Sequence, residues 1–327
     1  MRETAANHRI KTWLKRYWFF LSLLALCVAT AADASGILAA SGAWLKAHRG
    51  PDMVVVCIFL FSGFSLSPEQ LKDGLMDVKG TLLAFTVIFV AAPLAAIVLS
   101  RIPLDTGIVI GLFLVAAMPS TLSSGVVMTA AAGGSAAHAL VTTIAANSLA
   151  VFTIPYCLSL LLMTIGLSTA VTIDKAAIML KIGMLVILPL AAGMTARHFW
   201  PTLLRRLEPK INLANQFLIL FVVWIALSQT RDMLVGGGAT VAIVVTLAVV
   251  YHGLLLLAAW GLVRLAGRER GRRESVLFMG GQKTLPLSII LQMSLFPQYG
   301  VALIVCVLHH IVHLMMDGYL VERLRDG

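Results

Sequence analysis

The sequence predicts an all-α membrane protein with about ten transmembrane helices. Of its 327 residues, 59% are hydrophobic and only 12% are charged, and the mean hydropathy is +0.93. Soluble globular domains carry about 25% charged residues, so the solvent of this chain is predicted to be lipid. The alternating pattern of an outer-membrane barrel is not visible, which leaves helices to satisfy the backbone groups in the membrane.

Ten apolar runs of the length that a spanning helix needs, roughly 17–25 residues, follow one another along the chain. The second run is short and contains Gly63, so it is predicted to be tilted, re-entrant or continued into Pro68–Leu75. The ten runs are Tyr17–Ala34, Met53–Leu66, Gly80–Leu99, Gly107–Ala132, Ala136–Met163, Ala176–Ala196, Leu213–Ser228, Ala239–Leu265, Ser275–Leu295 and Val301–Leu320.

The distribution of basic residues predicts the orientation. With ten spans and a cytoplasmic N-terminus, 18 of the 25 Lys and Arg residues fall on the inner side and six on the outer side. By the positive-inside rule, we expect a multi-pass protein of the cell (inner) membrane with both termini cytoplasmic. The asymmetry and anionic inner-leaflet lipid explain the net charge of +10, so the bilayer is the expected partner and nucleic acid is not. The inner set begins with Arg2, Arg9, Lys11, Lys15 and Arg16.

Two of the ten runs contain residues that interrupt a helix. The fourth includes Val115–Val127, in which Pro119, Gly125 and four hydroxyl side chains replace the leucines of a simple anchor. The ninth includes Phe278–Leu287, with a glycine pair, a polar triplet and Pro286. Proline removes a backbone hydrogen bond and glycine adds flexibility, so both helices are predicted to unwind here. The alternative is that these residues only kink two continuous helices.

The two interruptions occupy matching places in the two halves of the chain. Met118 and Gly280 are 162 positions apart, close to half the chain length. This spacing predicts two five-helix repeats, at residues 1–165 and 166–327. Because each repeat has an odd number of spans, the second is predicted to be inverted relative to the first, as in many secondary transporters.

The stretches Met118–Gly134 and Gly280–Pro286, together with the length and the ten-span plan, resemble the bile acid:sodium symporter family. The resemblance is to its bacterial branch, often called sodium/bile acid symporter-like, and it covers nearly the whole chain. It implies a core domain with two crossed, broken helices and a panel domain, expected here to contain helices one, two, six and seven. Substrate would move through the crevice between the two domains.

The resemblance also implies positions for ion ligands. The better-known members hold sodium with a serine–asparagine pair, hydroxyls on the fifth helix, and a glutamate and a glutamine on the ninth. The serine corresponds to Ser124, the asparagine to Gly125, the two hydroxyls to His138 and Thr142, the glutamine to Gln282 and the glutamate to Phe278. Three of those liganding side chains are therefore missing from this sequence.

The missing ligands leave the coupling ion open between Na⁺ and H⁺. No Asp or Glu is expected near mid-depth, whereas the Lys283 ammonium is expected beside Gln282, where it would repel sodium. One hypothesis is that Lys283 replaces the sodium charge, as a proton carrier or as the counter-charge of an anionic substrate. The alternative is that it binds unwound carbonyls without titrating.

The predicted function is therefore secondary transport of a small organic anion by alternating access, with no cofactor and no catalytic or resident metal-binding residues. The oligomeric state stays open. The predicted substrate- and ion-binding residues are Pro119, Ser120, Thr121, Ser123, Ser124, Gly125, His138, Thr142, Gly280, Gly281, Gln282, Lys283 and Thr284.

The alternative function is a membrane-embedded metal- or serine-dependent enzyme. Its chemistry would come from Ser123 or Ser124 and from the tenth run, where His309 and His313 share a helix face ahead of Asp317. A third strong metal ligand is not visible at the same depth, so we expect these histidines to make interhelical hydrogen bonds instead.

Overall fold

A computed structural model describes residues 18–19, 21–66, 72–167 and 173–326 of the chain. Within these residues the regular secondary structure is entirely helical. The five N-terminal basic residues named above, Tyr17 at the start of the first predicted span, and Pro68 lie outside the described residues.

The helices are numbered here in chain order. Two of them, α4 and α8, contain a π-helical turn, at Val87–Ala91 and Gly183–Ile187. The helices are α1 (Leu21–Ala32), α2 (Ile37–Ala47), α3 (Gly50–Phe64), α4 (Val78–Leu99), α5 (Thr106–Ala117), α6 (Ser124–Ala131), α7 (Ala136–Met163), α8 (Lys175–Phe199), α9 (Pro201–Ser228), α10 (Arg231–Gly236), α11 (Gly238–Leu265), α12 (Arg273–Gly281), α13 (Leu285–Leu295) and α14 (Gly300–Asp326).

The lengths of these helices confirm a multi-pass, all-α membrane protein. Among the described residues, six helices are long and apolar enough to cross a membrane, namely α4, α7, α8, α9, α11 and α14. The number becomes seven if α1 and α2, which are bent by 107° relative to each other, count as one span. The other predicted spans correspond to α3 and to the pairs α5–α6 and α12–α13, whose members are shorter.

Helix boundaries differ from the sequence prediction at several ends, and two of these differences change the path or the length of a span. The first apolar run does not stay straight to Ala34, because α1 ends at Ala32 and the chain turns into α2. The Asp33 carboxylate accepts hydrogen bonds from the backbone N–H of Leu38 (2.9 Å) and Ala39 (3.3 Å), which stabilises the start of α2 after the bend. The seventh span was predicted from Leu213, but α9 begins twelve residues earlier at Pro201.

The helices pack into two groups. In the first group α3 lies against α8 and α9, and its Gly63 touches the α8 backbone so closely that a Cβ there would lie 2.4 Å from the Leu190 carbonyl oxygen. Small residues at helix contacts allow this approach in membrane proteins. In the second group α5 packs on α14, α11 packs on α12 and α14, and α12 also contacts α4, α6 and α7. The groups meet where α3 and α9 contact α13.

Candidate functional site

The fourth apolar run is broken, as predicted. Helix α5 ends at Ala117, and Met118 continues in an extended conformation (φ −74°, ψ 146°). Helix α6 begins only at Ser124. The intervening segment, residues 118–123, is called the first break. Its main-chain carbonyls have left the helical ladder, so each needs a donor from elsewhere.

The ninth apolar run is also broken, as predicted. Helix α12 ends at Gly281 and α13 begins at Leu285, with Pro286 in its first turn. The intervening residues 282–284 are called the second break. The backbone N–H of Thr284 donates to the carbonyl oxygen of Pro119 (3.0 Å), so the two breaks are in direct contact.

Lys283 points from the second break into the main chain around the first. Its ammonium donates to three carbonyl oxygens, those of Ile88 (3.1 Å), Ala116 (3.3 Å) and Met118 (2.9 Å). Two of these carbonyls belong to the end of α5, where a cation is stabilised by the helix dipole. The third lies in the π-helical turn of α4. This is the geometry of the alternative in which Lys283 binds unwound carbonyls.

Side chains of α7 hold the rest of the first break. The Asn147 amide donates to the carbonyl oxygen of Ser120 (3.0 Å), and the Thr143 hydroxyl donates to that of Thr121 (2.9 Å). Both side chains are fully buried. The carbonyl oxygens of residues 118–121 therefore each have a hydrogen-bond donor from elsewhere in the fold, as unwound carbonyls in a membrane require.

Three side-chain oxygens converge where the breaks meet. The Thr121 hydroxyl donates to Gln282 Oε1 (2.6 Å), and the Ser124 hydroxyl lies 2.9 Å from both Thr121 Oγ1 and Gln282 Oε1. Thr121 and Ser124 line a crevice, whereas Gln282 is fully buried behind them. We call these three oxygens the oxygen triangle. Hydroxyl and amide oxygens of this kind are suitable ligands for a hard cation.

A carboxylate lies directly behind the oxygen triangle, and the sequence analysis placed none there. Gln282 Nε2 donates to Asp317 Oδ2 (2.7 Å), and His252 Nε2 lies 2.9 Å from Asp317 Oδ1. Asp317 and His252 are both fully buried. The expectation that no Asp or Glu lies near mid-depth did not anticipate this contact, in which α14 and α11 bring Asp317 and His252 against the second break.

The positions that match the family's asparagine and glutamate are filled by apolar groups. A Cβ on Gly125 would meet the Met279 methyl group, so a side chain there would require the flexible end of Met279 to move aside. Phe278 is fully buried in the hydrophobic core. No carboxamide or carboxylate replaces the family ligands at these two positions.

His138 and Thr142 lie in a separate cluster. His138 Nδ1 is 2.6 Å from the Ser275 hydroxyl, and its Nε2 is 3.1 Å from the Thr81 hydroxyl and 3.3 Å from that of Thr142. These contacts join α7 to α12 and α4. Neither residue is hydrogen-bonded to the oxygen triangle.

Gly280 and Gly281 allow close packing at the end of α12. A Cβ on Gly280 would lie 2.9 Å from the Val87 side chain, and one on Gly281 would lie 3.3 Å from His252. Neither glycine lines the crevice. Their contribution is to let α12 approach α4 and α11.

The crevice lies between the two helix groups and has a volume of about 440 Å³. Its core-side wall includes Thr121, Ser123, Ser124 and Thr284, at the starts of α6 and α13. The opposite wall comes from α3 and α9 and is mainly apolar, with Phe59 as its largest buried side chain. A volume of this size is typical of small-molecule sites.

One polar pair interrupts the apolar wall. The Asn215 amide donates to the Ser62 hydroxyl (3.1 Å), and both residues line the crevice. Asn215 Oδ1 is buried without a hydrogen-bond partner. Among the described residues that line the crevice there is no Lys or Arg.

Among the histidines of the tenth run, His309 and His313 make ring contacts, whereas His310 is hydrogen-bonded to the backbone of Lys283 in the second break. The ring centroid of His313 lies 5.4 Å from that of His309 and 5.6 Å from that of His252. His313 has no hydrogen bond at either nitrogen. In the part of the chain that the structure describes, no group of three or more His, Cys, Asp or Glu residues is arranged to hold a metal ion. Sequence reasoning missed His252, whose signal was a lone ionisable residue in an apolar run.

Comparisons with known proteins cover nearly the whole chain. The model of the SBF-like CPA transporter family matches residues 17–326. Among curated proteins, the chain is 31% identical over 293 residues to the "Probable sodium/metabolite cotransporter BASS4, chloroplastic" of Arabidopsis thaliana. That match covers 83% of this chain but only 65% of the plant protein.

Two further relatives match over almost their full lengths. The "Sodium/bile acid cotransporter 7-B" of Xenopus laevis is 25% identical, with 96% of this chain and 93% of the frog protein covered. An uncharacterised protein of Pseudomonas aeruginosa is 27% identical, with 93% and 92% covered.

Proposed function

The chain belongs to the SBF-like CPA transporter family, and from this premise we propose that it is a sodium-coupled symporter of a small organic anion. The resemblance to the bile acid:sodium symporter family is thereby confirmed, and the protein is a transporter rather than a membrane-embedded enzyme. The observation that carries the proposal is the contact of two helix breaks, from Thr284 N to Pro119 O, beside a crevice between two helix groups.

The crevice supports an organic anion with an apolar body as the substrate. Its α3 and α9 wall is mainly apolar, and the N-termini of α6 and α13 open into its other wall. Helix N-termini carry partial positive charge and free N–H groups that favour a carboxylate. Neither Lys nor Arg lines the crevice among the described residues, and His310 is the one histidine there, which favours a substrate with a single negative charge over one with several.

The architecture that we propose is ten spans in two inverted five-helix repeats, at residues 1–165 and 166–327. The first repeat would comprise α1 with α2, α3, α4, the pair α5–α6, and α7. The second would comprise α8, α9, α11, the pair α12–α13, and α14. The packing between the two proposed repeats supports this arrangement. Helix α5 of the first repeat contacts α14, the last helix of the second, and α12 of the second repeat contacts α7, the last helix of the first.

In this arrangement the panel domain contains α1, α3, α8 and α9, and it would rock against the core. With both termini cytoplasmic, the crevice residues Trp18, Ala131 and Val321 lie at the inner end of their spans. We therefore infer that the structure represents an inward-open state in a cell membrane. Closure of the panel over the breaks would open the opposite side.

We favour sodium over the proton as the coupling ion. The two arguments against sodium are the lack of a negative charge and the Lys283 ammonium beside Gln282, and a buried carboxylate weakens both. Asp317 supplies the negative charge that was thought to be missing. The same carboxylate offsets the Lys283 ammonium, whose three hydrogens are bound by main-chain carbonyls. Lys283 thus binds the buried carbonyl end of α5. The relatives named sodium cotransporters support the same ion.

The test is uptake into proteoliposomes with a panel of radiolabelled organic anions, with sodium and pH gradients imposed separately. We expect accumulation of at least one amphipathic carboxylate when sodium is higher outside, and no accumulation when potassium replaces sodium. Gln282→Ala is expected to abolish sodium dependence. As a matched control, Gln292→Ala removes a buried amide that donates to the Phe296 carbonyl (3.0 Å) away from the breaks. Accumulation driven by the pH gradient alone would contradict sodium coupling.

A further inference from the structure

Asp317 is one hydrogen bond away from the oxygen triangle. Its Oδ2 accepts from Gln282 Nε2 at 2.7 Å, and Gln282 Oε1 faces Thr121 and Ser124 at 2.6 Å and 2.9 Å. An ionised carboxylate can only accept hydrogen bonds, so it fixes the amide with its nitrogen toward α14 and its oxygen toward the crevice. The orientation of Gln282, and therefore the donor set available to a cation, depends on Asp317.

The other carboxylate oxygen of Asp317 also has a buried partner. His252 Nε2 lies 2.9 Å from Asp317 Oδ1, and both side chains have no exposed surface. Gly281 packs close to the same imidazole, at 3.3 Å from its ring to the position of a Cβ. The carboxylate therefore contacts His252 on α11 and Gln282 in the second break. Of the three side chains of the oxygen triangle, it is hydrogen-bonded only to Gln282.

A cation at Gln282 needs a negative charge nearby, because the Lys283 ammonium is adjacent to Gln282 in the chain. A cation bound beside a buried ammonium is repelled, and the repulsion is strong at low effective dielectric. The Asp317 carboxylate is the one buried acid that touches either break among the described residues; the other fully buried acid, Glu274, binds the Gly271 N–H (2.7 Å) and Arg273 (3.0 Å) instead.

The positions that match the family's asparagine and glutamate, Gly125 and Phe278, offer no ligand oxygen from a side chain. The Met279 methyl group occupies the space where a side chain at position 125 would begin, at 1.9 Å from the ideal Cβ of Gly125. The Ser120 hydroxyl is 3.7 Å from the Met279 sulfur, which is a weak acceptor and a poor ligand for a hard cation. The neighbouring Phe278 contributes only an apolar ring.

We propose that the protein binds a single sodium ion at Thr121, Ser124 and Gln282, and that Asp317 is the positioning residue that orients Gln282 and supplies the compensating charge. The negative charge that the family resemblance locates on the ninth helix has moved to α14. The inference rests on the proposed function, because it specifies the ion site of that same transporter.

The experiment uses the purified full-length protein and sodium alone, without a transported substrate. Its melting midpoint is measured as a function of sodium chloride, with choline chloride keeping the ionic strength constant, and bound ²²Na⁺ is counted per chain. A ligand that binds only the folded state raises the midpoint with its occupancy. The wild type is expected to give a one-site curve and one bound ion per chain.

Asp317→Asn is expected to raise the half-saturating sodium concentration by about 10- to 100-fold, as loss of an outer partner of a metal ligand does. The matched control Glu274→Gln removes the other fully buried acid and is expected to leave that concentration unchanged. Asp317→Glu, which keeps the charge, is expected to be intermediate. A merely structural role for Asp317 would lower the melting midpoint without sodium but leave the half-saturating concentration unaltered.

Two bound ions per chain, or equal sodium curves for Asp317→Asn and the wild type, would overturn the proposal and leave sodium-coupled transport standing. If Asp317→Asn fails to fold, the wild-type stoichiometry and the Asp317→Glu curve decide the question. The absence of any sodium effect on the wild type would overturn both this inference and sodium coupling.

Discussion

The two breaks occupy matching places in the chain, but they present opposite chemistry. The first break is six residues long and offers carbonyl oxygens, which are held by Lys283, Asn147 and Thr143. The second is three residues long and offers donors, namely the Lys283 ammonium and the Thr284 N–H. Each break therefore supplies hydrogen-bond partners for the other. Two unwound segments can be stable in a membrane when their polar groups are complementary.

Removal of the Lys283 cation is the most severe way to break this complementarity. Lys283→Met keeps the length of the side chain but leaves three buried carbonyls without their donor. Because an unpaired buried carbonyl costs about 1–3 kcal/mol, we expect a loss of about 3 kcal/mol or more in unfolding free energy. The melting temperature in detergent, followed by intrinsic fluorescence, measures the effect.

Lys181→Met is the control for this change, because the Lys181 side chain is 31% exposed and 3.8 Å from Asp52. Exposed ion pairs contribute about 1 kcal/mol or less. Equal melting temperatures for the two variants would contradict a structural role for Lys283 and would favour the hypothesis that it carries protons or meets the substrate.

The contact between α6 and α12 can be tested by crowding and then relieving it. Gly125→Ala would bring a methyl group to 1.9 Å from the Met279 methyl. Because the flexible end of Met279 can move aside, this overpacking is expected to cost about 1 kcal/mol. Met279→Ala removes the obstructing group but opens a buried cavity, so the double variant is expected to lose less stability than the sum of the two single variants. Additive losses in this double-mutant cycle would show that the two residues are not in contact.

A substitution of Asn147 tests whether sodium affinity depends on the conformation of the first break. Asn147→Leu removes the donor to the Ser120 carbonyl and is expected to cost about 1–2 kcal/mol and to weaken sodium binding. Gln292→Leu removes an amide that donates to the Tyr299 carbonyl (2.9 Å) at the far end of α13. It is expected to cost a similar amount without changing sodium binding. An equal change of sodium affinity in both variants would refute this distinction.

The smallest expected effect separates two hydroxyls of the first break. Thr121→Val removes one oxygen of the triangle and is expected to raise the half-saturating sodium concentration about fivefold, the equivalent of one net hydrogen bond. The Ser123 hydroxyl lines the crevice but has no part in the triangle, so Ser123→Ala is expected to stay within about twofold of the wild type. A reversed order would place the ion nearer to the crevice.

The breaks were predictable from the sequence because their signals are local. Pro119 with its hydroxyl neighbours, and Gly280–Gly281 with Pro286, favour an interruption more strongly than the lone Pro155 and Pro209, which lie inside continuous helices, and the half-chain spacing pairs them. The family resemblance added the roles of Ser124 and Gln282. The structure brings both residues to the oxygen triangle, as that resemblance implied, while their role as ion ligands stays a prediction.

Asp317 and His252 could not be assigned from local signals. Asp317 lies four residues after His313, towards the C-terminal end of α14, which by itself indicates only a helix end. Its place depends on the packing of α14 against α11 and α6, a property of the tertiary fold. His138 matches a ligand position of the family and its imidazole contacts the Ser275 hydroxyl, while its role in ion or substrate binding stays a prediction.

The most direct test of the account is an experimental structure determined in sodium and again in choline, at a resolution that shows bound cations. We predict one sodium density among Thr121 Oγ1, Ser124 Oγ and Gln282 Oε1, with Asp317 on Gln282 Nε2, and no such density in choline. Continuous helices through Pro119 and Pro286, or a sodium ion bound elsewhere, would contradict it.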